Sequence, residues 1–572
     1  MNFKEEIINL LSKETKLSKE ELLNLVVIPP NPTLGDYAFP CFKLGKNAKE
    51  EAEKLKEKLK LPEFVSKAEV AGPYLNFFIK HNSLAKETLH SIYKQAKNYG
   101  KPAKYKGKRI VIEYCGPNTN KPLHLGHLRN MALGNSVCRV LSFIGNKVHP
   151  VNIINDRGIH ICQSMLAYQK WGQEKEPDKK GDHFVGDFYV LFAKKAKEDG
   201  KTAEALKNEA MELLLKWERG DKETIVLWKK MNHWVLTGFA QTYKRFGISF
   251  EKEYAESRYY EKGKELVQEG LKKGIFQKDP ATGAIVAPLQ QYGIPDKVLL
   301  RGDETSIYIT QDMYLATIRY RDFKFHRMIY VVASEQRLHF QQLFKILELL
   351  GLKYAKNMYH LSYGLVNLPS GRMKSREGTV VDADDVLDEV TELASAEVRK
   401  RHPHLAKEEV QKRAEQIALA AIKFYMLHTD SVRDIVYNPE ESLSFEGETG
   451  PYLQYTQVRA CSILRKAKKE HHLEVQYPVN FEVFSLPEEM GILKLLGMFP
   501  EVVQKTAETY KPHHLTQYLI SLAQAFNEFY HKCPVLSEEK NHTKARLLLV
   551  DGVRQVLENG LNLLGMEAPQ EM

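Results

Sequence analysis

In the stretch NKPLHLGHLRN, His124, Gly126 and His127 fall between an apolar run and the start of an amphipathic segment. Phosphate binds readily in such a place. A helix N-terminus offers free backbone N–H groups and a partial positive charge, and a glycine lets a nucleotide approach the backbone. Two imidazoles there can donate hydrogen bonds to phosphate oxygens as a phosphorus becomes five-coordinate. Histidines near a turn are ordinarily surface or capping residues, and the strand–loop–helix setting is what favours the nucleotide. A second group, SIYITQDMYLA, spaces Tyr308 and Asp312 four apart, on one helical face. An aromatic ring beside a carboxylate suits a planar cation. Alone, the same pair is more often a solvated face with one core aromatic. A third, SGRMKSREGTVV, concentrates Arg372, Lys374 and Arg376 between glycines. It reads either as a basic loop that brings cations to phosphates or as a flexible surface turn.

These groups need elements to hold them. RIVIEY (109–114) is a short apolar, β-branched run of the parallel-sheet kind, and the loop CGPNTNKPL follows it. Leu133, Val137, Val140, Leu141 and Ile144 mark one helical face that ends at Gly145-Asn146. KVHPVNIIND then predicts a second strand, completing a βαβ unit. Charged helical sequence from about 157 to 275 reads as an insertion, and FHRMIYVVAS (325–334) resumes the sheet. Residues 1 to about 100 predict a small α+β unit closed by the linker at 98–108. Beyond about 385 nearly everything is helical in pattern. The expected fold is α/β: a Rossmann-like parallel sheet with helical insertions, an α+β N-terminal domain (1–103), a central domain (104–430) and an all-α C-terminal domain (431–572). In the last of these, Tyr452, Tyr455, Gln457 and Arg459, with the basic run Arg465 to Lys469, mix aromatics that stack on bases with cations that hold phosphates. An exposed charged helix is the plainer reading of each residue singly.

Composition sets bounds. The chain has 572 residues, 43% hydrophobic, and is long enough for several cores. Lys and Arg outnumber Asp and Glu by 83 to 73, and the net charge of +10 favours a polyanionic partner. Six scattered cysteines without a CxxC pair indicate neither a disulfide framework nor a zinc ribbon. The N-terminus lacks the apolar core of a signal peptide, and no run is long enough to span a bilayer. The expectation is a soluble, unexported, cytoplasmic protein, a monomer with free thiols, no membrane partner and no metal site of its own.

HLGH in this setting resembles the HIGH signature of class I aminoacyl-tRNA synthetases, and IEYCGPNTNKPLHLGH resembles the arginyl branch. The resemblance spans nearly the whole chain. It implies an arginine–tRNA ligase with ATP, magnesium carried by ATP, L-arginine and tRNA(Arg) as reactants and partners, and no zinc. It places arginine on Glu113, Asn118, Tyr308, Asp312 and Gln336, with ATP on His124, Gly126, His127 and His339. The basic loop occupies the place of the KMSKS segment (Met373, Lys374, Ser375, Arg376). Here Ser375 stands where the usual second lysine falls, and Lys121 matches the lysine that supplies the missing charge in such enzymes. GDYAFP and GPYLNFFIK resemble the family's extra domain, making Tyr74, Asn76 and Phe78 candidate tRNA contacts. The string from Tyr452 resembles the start of its anticodon-binding domain. The rivals are a class I synthetase for cysteine or glutamate, a non-catalytic RNA-binding relative, and a small HxGH nucleotidyltransferase. The first would need a zinc ligand cluster or a cationic pocket, and the last has no use for the helical C-terminal third.

Overall fold

The computed structural model describes residues 3–29, 31–102, 106–198, 200–303, 305, 307–369, 381–537 and 539–572. The N-terminal part runs α1 (Phe3–Glu14), α2 (Lys19–Leu25), β1 (Tyr37–Pro40), α3 (Ala48–Lys58), β2 (Val65–Ala71), β3 (Tyr74–Ile79) and α4 (His81–Gln95). Its antiparallel sheet has the order β1-β3-β2 and packs Phe39, Leu75 and Phe77 into its core. Helix α4 leans instead on the C-terminal bundle. Tyr99 donates to the Leu496 carbonyl at 2.8 Å, and Asn559 donates to the Ala96 carbonyl at 3.1 Å.

The central part runs β4 (Arg109–Glu113), α5 (Leu125–Phe143), β5 (Lys147–Ile154), α6 (Ile159–Trp171), α7 (Gly181–Ala196), α8 (Gly200–Glu218), α9 (Lys222–Phe246), β6 (Lys252–Ala255) and α10 (Gly263–Lys272). There follow β7 (Gln277–Lys278), β8 (Ile285–Ala287), β9 (Lys297–Leu300), α11 (Tyr308–Phe323), β10 (Arg327–Ala333), α12 (Arg337–Leu349), β11 (Met358–Tyr363) and β12 (Val366–Asn367). The main sheet is parallel in every pairing, with the order β11-β10-β4-β5-β6. From β4 the chain builds outward through β5 and β6, then returns to the other side of β4 with β10 and β11. The strand order therefore reverses beside β4, and open α/β sheets bind ligands at the carboxyl ends next to such a point. The predicted strands stand where expected. One correction concerns the stretch 157–275, read as an insertion of helices: it also carries β6, an edge strand of the main sheet.

The remaining elements are α13 (Ala383–Arg401), α14 (Lys407–Leu427), β13 (Ile435–Val436), α15 (Pro439–Ser442), α16 (Gly450–His471), α17 (Pro487–Thr509), α18 (His513–Lys532) and α19 (Lys540–Leu563). Arg129 of α5 helps seat this bundle. Only 1% exposed, it donates to the carbonyls of Gly364, Leu365, Ser431 and Arg433 at 2.7–3.2 Å. A buried guanidinium without a carboxylate requires such a set of oxygens. Among the described residues no helix is long and apolar enough to cross a membrane.

Candidate active site

Strand β4 delivers Glu113 to the carboxyl edge of the sheet, and the chain then turns sharply, with positive φ at Cys115 and Gly116. Side chains hold this turn: Cys115 N–H donates to Asn130 Oδ1 at 2.6 Å and Gly116 N–H to Asn152 Oδ1 at 2.9 Å. The turn feeds α5, whose N-cap is His124. Its Nδ1 accepts from the Gly126 amide at 3.1 Å, while the His124 amide donates to His127 Nδ1 at 3.0 Å. Each neutral ring therefore carries its proton on Nε2, available to an oxygen ligand. Burial drives the pKa of His124 down to about 4 and that of His127 well below its usual value, and Lys121 reinforces both shifts. The ring centroids are 3.9 Å apart. Gly126 has a tighter role than nucleotide access alone: a Cβ there would lie 3.0 Å from His124 Cε1. Both rings, Gly126 and Asn130 line a cavity of about 480 Å³.

A second cavity, of about 750 Å³, adjoins it across Ile153, Asn155, Val332 and Glu335. Asn118, Tyr308, Asp312, Gln336 and His339 all line it. Tyr308 opens α11 at the rim, 72% exposed, and Gln336 caps α12. Asp312 Oδ2 and His339 Nε2 are 2.8 Å apart. His339, expected beside the nucleotide, lines the second cavity as a partner of Asp312.

Glu113, expected at arginine with Asp312 opposite, is buried in an ion pair with Arg319 of α11 and lines the cavity on the histidine side. Burial raises its pKa while the guanidinium works against that rise. Arg319 follows Asp312 by seven residues, two helical turns, so one face of α11 presents a carboxylate to the second cavity and a cation to β4. The buried carboxylate that lines the second cavity with Asp312 is Glu256, which the sequence did not disclose. It follows β6 in a short 3-10 turn and is 5% exposed. Desolvation lifts its pKa to about 7 against the pull of Arg157, with Asp156 and Asp312 adding to the rise.

Lys121 lies close enough to lower both imidazole pKa values. Arg372, Met373, Lys374, Ser375 and Arg376 lie outside the described residues. Beyond them, the Leu125 amide donates to the Val381 carbonyl at 3.0 Å and the Ala383 amide to the Leu123 carbonyl at 2.8 Å, so residues 381–383 run beside His124.

The candidate RNA contacts divide by burial. On β3, Tyr74 is exposed, Phe78 is half-buried beneath Lys67, and Asn76 is only 3% exposed, which withdraws it from the surface. On α16, Arg459 lies over the rings of Tyr455 and Tyr530 at 4.9 and 4.8 Å. Tyr452 accepts from Asn527 at 2.8 Å. Gln457 is interior, because its position falls on the face that packs the bundle. Arg465 is held by Glu571 and the Gln570 carbonyl of the C-terminal tail. Tyr530, which is exposed, joins the half-buried Tyr455 around Arg459 although it stands far along the chain.

A parallel sheet bearing paired imidazoles at a helix N-terminus is the plan of a class I synthetase, and residues 88–438 match the class I (R) tRNA synthetase catalytic domain family. Residues 1–79 match the arginyl tRNA synthetase N-terminal domain, and residues 453–572 the DALR anticodon binding domain. The arginine–tRNA ligase of Treponema denticola is 46% identical over 550 residues, 94% of this chain and 92% of that protein. That of Bacteroides fragilis strain YCH46 is 41% identical, covering 98% and 95%. Among solved structures, the Thermus thermophilus arginyl-tRNA synthetase superposes with a TM-score of 0.82 at 29% identity, covering 96% of each chain. The chain belongs to the arginyl-tRNA synthetase family.

Proposed function

We propose that this protein is an arginine–tRNA ligase that joins L-arginine to ATP and then to tRNA(Arg), acting as a monomer in the cytoplasm. The observation that carries the assignment is that the second cavity, bearing Asp312, Glu256 and Tyr308, adjoins the first, with its two neutral, Nε2-protonated imidazoles. Arginine enters with its guanidinium between Asp312 and Glu256 and beneath Tyr308. An uncharged side chain there would leave the buried Glu256 and the half-buried Asp312 without the cation that offsets their charge, and is rejected. Asn118 and Gln336 hold the polar end of the amino acid, and His339 fixes Asp312. Glu113 shapes this site through Arg319.

The arginine carboxylate then lies toward the α-phosphorus of ATP. A new carboxyl O–P bond forms as the P–O bond to pyrophosphate breaks, giving arginyl-adenylate. His124 and His127 donate through Nε2 to the α-phosphate as charge spreads, and Lys121 adds a fixed positive charge beside them. Magnesium carried by ATP would supply positive charge to its phosphates, and the proposed steps use no zinc. The segment holding Met373, Lys374, Ser375 and Arg376 contributes further cations to the departing pyrophosphate. In the second step the 3′-terminal adenosine hydroxyl of the tRNA attacks the adenylate carbonyl and AMP leaves. Tyr455, Arg459 and Tyr530 offer a stacking surface to unpaired bases of the tRNA, and Tyr74 and Phe78 a second one at the N-terminal sheet. Charging of tRNA with each of the twenty amino acids tests the assignment. Arginine alone is expected to give charged tRNA with release of AMP and pyrophosphate, and charging with another amino acid in its place overturns it.

A further inference from the structure

Helix α7 lies between β5 and β6 in the chain, outside the sheet, and lines neither cavity, yet it touches the histidine turn from two directions. Gly186 packs on the residues just before it: a Cβ at Gly186 would lie 2.7 Å from Pro122 Cδ and 3.5 Å from Lys121 Cα. At the start of the helix, Lys180 Nζ donates to Asp384 at 2.6 Å, to Thr242 at 2.7 Å and to Asp182 at 2.9 Å. His183 Nε2 lies 2.9 Å from the same Asp384 oxygen, and Thr242 donates to its other oxygen at 3.0 Å. Asp384 opens α13, directly after residues 381–383, which pair with the backbone on either side of His124. Asp182, His183 and Asp384 have the spacing of metal ligands. The Lys180 ammonium already brings a cation to both of their carboxylates.

We propose that α7 is the positioning support of the His124–His127 turn, with Gly186 backing Lys121–Pro122 and Lys180 and His183 holding Asp384 and the strand beside His124. Gly186, Lys180 and Asp384 are positioning residues, since none of them lines either cavity. α7 is itself fixed from behind: Gly181 and Gly238 allow it to press on α9, where a Cβ would lie 2.2 Å from Trp234 O and from Asp182 Oδ1 respectively. A methyl group at Gly186 therefore displaces the catalytic turn and not α7. Ordinary contact begins near 3.4 Å, so Pro122 must give way by about 0.7 Å, the difference from 2.7 Å. A misplacement of about 1 Å costs on the order of 100-fold in rate, so a shift of this size predicts a loss of about tenfold.

This inference rests on the reading of His124 and His127 as the phosphate-binding pair. The test is steady-state charging of tRNA by the full-length protein, with arginine and ATP varied separately. Gly186→Ala is expected to lower kcat about tenfold while the KM for arginine stays within about twofold. Adding Pro122→Ala removes the opposing Cδ and is expected to bring kcat back to that of the Pro122→Ala single variant. Asp384→Asn, which keeps the shape but not the charge held by Lys180 and His183, is expected to give the same loss confined to kcat, and it carries the test alone should Gly186→Ala not fold. A wild-type kcat in Gly186→Ala and Asp384→Asn overturns the inference, as does a loss confined to arginine KM or a loss that Pro122→Ala does not relieve. A wild-type protein that charges no tRNA with arginine would instead sink the functional reading on which it rests.

Discussion

Replacing Asp312 by asparagine removes one of the two charges assigned to the substrate guanidinium while keeping the shape of the side chain. Its hydrogen bond to His339, 2.8 Å long in the native protein, can persist through the amide oxygen. The fold should therefore survive and the effect should fall on arginine. A unit charge about 4 Å from a guanidinium is worth about 4 kcal/mol at an effective dielectric of about 20. Hydrogen bonding by the neutral amide returns about 1 kcal/mol of this. The net loss of about 3 kcal/mol corresponds to roughly 100-fold in kcat/KM for arginine, since each 1.4 kcal/mol is about tenfold. Charging assays over a range of arginine concentrations read it directly, with the KM for ATP as the internal control. Competition by citrulline, whose neutral urea group has the outline of a guanidinium, adds a second readout: the preference for arginine over citrulline should shrink by a similar factor. If Asp312→Asn keeps the native kcat/KM for arginine and still rejects citrulline, the guanidinium does not lie against Asp312.

Glu256 sets a pH dependence. With a folded pKa of about 7 it is protonated in the free enzyme below that pH and ionised above it, so kcat/KM for arginine should rise as pH increases through about 7. Glu256→Gln should lower the high-pH plateau and abolish that limb, and a limb that persists in the variant assigns it to another group. The buried Glu113–Arg319 pair predicts a stability effect. Arg319→Met leaves an uncompensated carboxylate and should destabilise the protein by about 3–5 kcal/mol, measured by thermal or denaturant unfolding, with Glu113→Gln recovering most of the loss. Lys121→Ala should slow adenylate formation about tenfold in single-turnover experiments without changing arginine affinity, and an unchanged rate would transfer its charge to a different residue.

The parts of this site that lie next to one another in sequence were open to reading. RIVIEY and MIYVVA are apolar because both faces of a parallel sheet are covered, and HLGH announces itself by following the first of them. Tyr308 and Asp312 share a helical face at a spacing that periodicity alone reveals. Glu256 was hidden because its strand, KEYA, is four residues long and half charged, an edge strand that needs no apolar run. The partner of Glu113 was hidden for a different reason. Arg319 is 206 residues away and reaches Glu113 only because β10, the strand after α11, lies against β4. Asn76 and Gln457 look like surface residues because they are polar; helix phase turns Gln457 inward, whereas Asn76 lies on the strand face opposite Leu75 and Phe77 and is covered near Gly35, where a Cβ would lie 3.5 Å from Asn76 Cβ. The link from α7 to the histidine turn is a contact between a glycine and a proline ring, and neither residue type carries a chemical signature in the sequence.

The central claim is that a guanidinium sits between Asp312 and Glu256 while the carboxyl end of the same molecule reaches the two imidazoles. A crystal structure with a non-hydrolysable arginyl-adenylate analogue tests it most directly. The expected density places the guanidinium between those carboxylates under Tyr308, the phosphate mimic within hydrogen-bonding distance of His124 and His127 Nε2, and the Glu113–Arg319 pair intact. A guanidinium bound to Glu113 with Arg319 displaced, or an analogue lying wholly outside the second cavity, would contradict it.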